Sequence, residues 1–128
     1  MSYYFSKTLS ASFDEAITKV TDELKKEGFG ILTEIDVKEA VKKKLNKDFR
    51  KYKILGACNP PFAFKALQTE DKVGTMLPCN VIVQEAPGGK IEVAAIDPVA
   101  SMQAIENQAL KEVAIEVQGK LKKVIDGL

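Results

Sequence analysis

The stretch Arg50-Lys51-Tyr52-Lys53-Ile54-Leu55-Gly56-Ala57-Cys58-Asn59-Pro60-Pro61 decides how this chain folds. Tyr52, Ile54 and Gly56 share one face of a period-two run, which predicts a strand from Arg50 to Cys58. Gly56 leaves room for close approach by a neighbouring backbone. Pro60 and Pro61 end the strand, because neither can donate to a ladder, and Pro61 suits the first position of a helix. One or two helical turns from Phe62 to Leu67 follow. A further strand, Met76 to Glu85, then carries Pro78-Cys79-Asn80 near its start. The helical segment between lets these two strands return antiparallel. Both Cys-Asn pairs therefore come to the same end of one sheet.

Working outward, Pro87-Gly88 is a tight turn and Lys90 to Ile96 a fifth strand, ending at Asp97-Pro98, where a helix begins. Met102, Ile105, Leu110, Val113, Val117, Leu121 and Val124 keep helical spacing to the C-terminus, with a break near Asn107. Upstream, Tyr3 to Leu9 alternates as a strand. Ser12 and Glu15 form a capping box, and Phe13, Ile17, Val20 and Leu24 mark the buried stripe of a long helix. Gly28 ends that helix as a left-handed cap. Ile31, Thr33, Ile35 and Val37 alternate along a second strand, and Val37, Val41 and Leu45 then mark a short basic helix stopping near Asn46. The order is strand, long helix, four strands with two short helical insertions, long helix. It predicts an α+β fold: a single antiparallel sheet of about five strands with two long helices on one face.

At 128 residues and net charge +1, the chain fits one domain spanning residues 1–128. That charge gives no overall pull toward nucleic acid or an anionic membrane. No apolar run approaches the roughly 18–20 residues needed to span a bilayer. Met1 to Thr8 lacks a basic segment followed by an apolar one, so no export signal is expected. Two cysteines in that context are read as reduced cytoplasmic thiols. A sheet covered on one face only leaves the other to be buried, which predicts a homo-oligomer, in its simplest form a dimer.

The segments Lys44-Leu45, Asp48-Phe49-Arg50, Tyr52 through Pro61, Lys65-Ala66-Leu67, Leu77-Pro78-Cys79-Asn80-Val81 and Asp97-Pro98 closely resemble the domain-of-unknown-function family numbered 302. The resemblance spans essentially the whole chain. It implies an α+β fold of the TATA-binding-protein-like class and supplies no established activity. Many relatives carry a histidine shortly before the lysine matching Lys65. This chain has Phe64 there, which weakens any mechanism needing an imidazole at that site.

The rim residues Cys58, Asn59, Cys79, Asn80 and Asp97, with Lys65 on the short helix, form the candidate ligand-binding set. Cys58 and Cys79 have a packing reading, because free cysteine is among the most buried residue types. Their functional readings are soft-metal ligation, with zinc as an example, or a reactive thiol. A closed zinc site needs four ligands, so Asp97 or a second subunit would have to complete it. Asn59 and Asn80 either satisfy turn backbone or orient a ligand carbonyl or carboxylate. Lys65 either faces solvent or offers a positive charge. The chain has no histidine and no glycine-rich phosphate loop, which excludes Ser-His and Cys-His nucleophile pairs. Residues 38–53 carry a local net charge of +6. With only Phe49 and Tyr52 nearby to stack on bases, that run reads as a solvated face ahead of a nucleic-acid surface.

The predicted function is therefore ligand or metal binding at the Cys/Asn rim. Thiol chemistry through Cys58 or Cys79 is the second reading, and polyanion binding through residues 38–53 the third.

Overall fold

In the computed structural model, which describes residues 2–128, five strands form one sheet: β1 (Tyr4–Leu9), β2 (Gly30–Asp36), β3 (Tyr52–Cys58), β4 (Cys79–Ala86) and β5 (Lys90–Ile96). Every pairing is antiparallel, and the strand order is β1-β5-β4-β3-β2. The expectation of a missing export signal began at Met1, which lies outside the described residues.

Helix α1 (Phe13–Lys26) starts at the Ser12–Glu15 capping box, in which Glu15 N donates to Ser12 Oγ at 3.1 Å. It buries Phe13, Ala16, Val20 and Leu24. Gly28, at φ 87°, turns the chain out of it in a conformation that a side chain would strain. The C-terminal helix α5 (Gln108–Asp126) buries Leu110, Val113, Ala114, Val117, Leu121, Val124 and Ile125. These two stripes pack on Leu55, Ala57, Val81, Val83, Val93 and Ala95 of the sheet to make the core. The period-two burial along β4, with Val81 and Val83 sealed and Asn80 exposed, shows that the core lies on one face of the sheet.

The structure differs from expectation at several element ends, with β1 and β3 beginning at Tyr4 and Tyr52 where Tyr3 and Arg50 were expected. The helix after the double proline, α3, runs Pro60–Thr69, opening at Pro60 and ending beyond Leu67. Asp71–Met76 is a 3-10 turn, so β4 begins at Cys79, just past Pro78, which has no N–H to pair. Val37, read both as the end of the second strand and as the start of the basic helix, belongs to α2 (Val37–Leu45) alone, because Asp36 accepts from Glu39 N at 3.0 Å and caps a helix there. The break expected near Asn107 falls between α4 (Pro98–Ser101) and α5, with Asn107 capping α5 by accepting from Leu110 N at 3.2 Å.

Candidate functional site

Strands β3 and β4 pair Leu55 with Val81 and Ala57 with Cys79. The last residue of β3 and the first of β4 thus meet at one end of the sheet, as the strand directions require. Helix α3 leaves that rim and lies against α5, and Asn107 ties the two by donating from Nδ2 to Thr69 O at 3.0 Å. Rim, α3 and α5 enclose a cavity of about 310 Å³. Phe29, Phe62, Ala66, Met102, Val113 and Val117 are among its walls, together with Cys58, Asn59 and Cys79. Leu32 and Leu67 line it while remaining 68% and 43% exposed, so they mark its mouth.

The polar residues of the wall are few. Asn59 is only 8% exposed and sits at the N-cap of α3, yet its side chain makes no cap bond. Pro60 and Pro61 occupy the first two helical positions and remove the donors nearest to that side chain. Its Nδ2 donates instead to Glu27 O at 3.0 Å, tying α3 to the end of α1. Among the described residues Oδ1 receives no hydrogen bond, and no sealed side-chain polar atom lacks a partner. Oδ1 therefore reaches accessible space.

Both thiols are free. Burial pushes the Cys79 thiol up to about 11, and the neighbouring Cys58 adds to the effect. At neutral pH Cys79 is therefore a neutral thiol, a poor nucleophile and a poor metal ligand. Among the described residues, His, Cys, Asp and Glu side chains form no cluster of three or more suited to a metal ion.

Of the six residues predicted to form the site, the structure brings Cys58, Asn59 and Cys79 together at the cavity. Asn80 alternates to the opposite face, in a shallow depression with Tyr4, Ile82 and Ala94. Asp97 lies at the expected end of β5 but is used structurally. Its Oδ1 accepts from Val99 N at 3.0 Å and Ala100 N at 3.4 Å, capping α4, and its carboxylate accepts from Gln118 Nε2 at 3.0 and 3.1 Å. It thereby positions Pro98, the next residue, in the cavity wall. Lys65 is exposed on α3 and outside the wall. The aromatic and aliphatic walls were missed by a reading directed at polar residues. Phe62 after the double proline and the helical spacing of Met102, Val113 and Val117 were the available signals.

The basic segment spends several of its charges on its own chain. Lys38 Nζ donates to Phe49 O at 2.8 Å, and Lys42 pairs with Asp48 at 3.6 Å. Lys53 pairs with Glu34 at 2.7 Å, and that hydrogen bond raises its pKa above the ordinary lysine value. The Arg50 guanidinium lies 4.4 Å from the Phe49 ring centre and donates to Gln84. No helix among the described residues is long and apolar enough to cross a membrane.

Comparison with known proteins agrees with this architecture. The crystal structure of the uncharacterized conserved protein DUF302 from Bacillus stearothermophilus superposes with a TM-score of 0.91 at 29% identity, covering 99% of this chain and 98% of that one. No curated protein matches significantly. The family model for the domain of unknown function DUF302 matches residues 5–128, and the chain belongs to that family.

Proposed function

We propose that this protein binds a small apolar molecule in the cavity between the β3–β4 rim, α3 and α5. The observation that carries this reading is the character of the wall: a space of about 310 Å³ lined by Phe, Leu, Met, Val and Ala, with two thiols and one amide as its polar fittings. That size is at the lower end of ligand pockets, roughly 300–1,000 Å³. A water in such a space needs two to four polar partners, which this wall scarcely supplies, so an apolar occupant displaces poorly held solvent. The neutral Cys79 thiol favours this use over thiolate catalysis or metal ligation.

Titration with the uncharged fluorescent probe N-phenyl-1-naphthylamine tests the reading. Saturable, one-to-one enhancement is expected, and Ala66→Phe, which fills the cavity from α3, abolishes it while the circular dichroism spectrum persists. Absence of saturable binding, or equal binding by a folded Ala66→Phe variant, contradicts it.

A second copy of the chain is the proposed occupant of the open sheet face. Tyr4, Tyr52, Ile82, Ala94 and Ile96 gather there, with Glu92 as the one charged residue of the depression among the described residues. A two-fold contact must be complementary to itself, and a nearly uncharged strip avoids like-charge opposition across the axis. Light scattering after gel filtration should give twice 14.0 kDa. A species of one chain mass at every concentration would sink the dimer.

A further inference from the structure

Phe62 is part of the cavity wall, and a cation stands against it: Lys120 Nζ is 5.8 Å from the ring centre. Lys120 follows the cavity-lining Val117 by three residues on α5, so it emerges one turn along the same side of that helix. It is half-buried, and among the described residues it takes part in none of the ion pairs, which engage Lys26, Lys42, Lys53 and Lys72. Glu116, one turn earlier on α5, is exposed and makes no ion pair with it. Lys65, three residues past Phe62 on α3, is likewise without an ion pair. Contact with an aromatic face attracts an ammonium but leaves its charge uncompensated. An apolar cavity thus carries positive charge at one edge.

We infer that the ligand is an amphipathic monocarboxylate, its apolar body in the cavity and its carboxylate beside Lys120. This inference rests on the cavity reading and names the ligand class. At about 310 Å³ the space stands at the lower end of ligand pockets, roughly 300–1,000 Å³. A medium-length acyl chain or a substituted aromatic acid has that size. The alkyl stem of Lys120 lets the ammonium meet the carboxylate at the water boundary, where neither charge need be sealed from solvent.

The test is competition against bound N-phenyl-1-naphthylamine by decanoate and by 1-decanol, on wild type and Lys120→Met, with Lys120→Gln as a second variant. Methionine keeps the apolar stem and removes the charge. Decanoate should lose about five- to tenfold in potency in both variants, the scale of one ion contact near a protein surface. Decanol should be unaffected, and only decanoate should weaken at high salt. Lys120→Arg should restore decanoate. Unchanged decanoate potency in both charge-removing variants overturns the carboxylate inference while the cavity reading stands. Failure of probe, decanol and decanoate alike to bind overturns both.

Discussion

Cys79 has a thiol held neutral by its surroundings, and this has a consequence for stability. Below about pH 9 the thiol is protonated whether the chain is folded or not. As pH rises, the unfolded chain releases its proton near the ordinary value of 9.0, whereas the folded thiol holds its proton up to about 11. Between those values the native state binds more protons, so stability falls with rising pH and levels off above the folded value. The full loss is about 2–3 kcal/mol. Urea unfolding of wild type and Cys79→Ala at pH 8 and pH 10.5 checks this. The wild type should lose about 2 kcal/mol more than the variant between the two conditions, and parallel losses would contradict the assignment. Asp97 illustrates the opposite use of a rim residue, with both oxygens committed to α4 and Gln118. Asp97→Ala should cost about 1–2 kcal/mol through the lost cap, read as a lower urea midpoint.

At the scale of elements, β3 shows both what alternation conveys and what it conceals. Tyr52, Ile54 and Gly56 do share a face, and Pro60 does stop the ladder. Gly56 is required by close approach, as expected, but the neighbours are side chains: a Cβ there would run into the Thr33 hydroxyl and the Pro78 ring. Gly56→Ala should therefore destabilise by about 1–3 kcal/mol, the range for overpacking. By displacing Pro78 from the cavity wall it should also weaken naphthylamine binding. A variant of unchanged stability and unchanged binding would show that the contact relaxes freely. Asn80 was misplaced for a related reason. Strand direction sets which end of a sheet a residue reaches, whereas its face depends on register, and Cys79 and Asn80 necessarily point to opposite sides. The ends of α2 and α5 were legible because Asn46 and Asn107 carry the chemistry of a stop and a start. The extra turns of α3, which pack against α5, and the Asp71–Met76 segment, which packs against α3, carry no such marks, and tertiary packing settles them.

For the whole molecule, the capping box, the double proline and the aliphatic spacing of two long helices together specify one sheet with its core on one side. The cavity was not legible in that way. It exists because α3 and α5 do not close completely over the β3–β4 rim, a matter of summed side-chain volumes at residues such as Ala63, Ala66 and Ala114. Small residues on facing helices leave space or permit close contact depending on backbone separation, which the sequence pattern does not encode. The central claim, an apolar ligand held in that space, is tested most directly by intermolecular nuclear Overhauser effects from bound 1-decanol to methyl groups of the isotopically labelled protein. Cross-peaks to Ala66, Met102 and Val117 are predicted. Contacts confined to Ile82, Ala94 and Ile96 on the open face, or no contacts at saturating decanol, would contradict it.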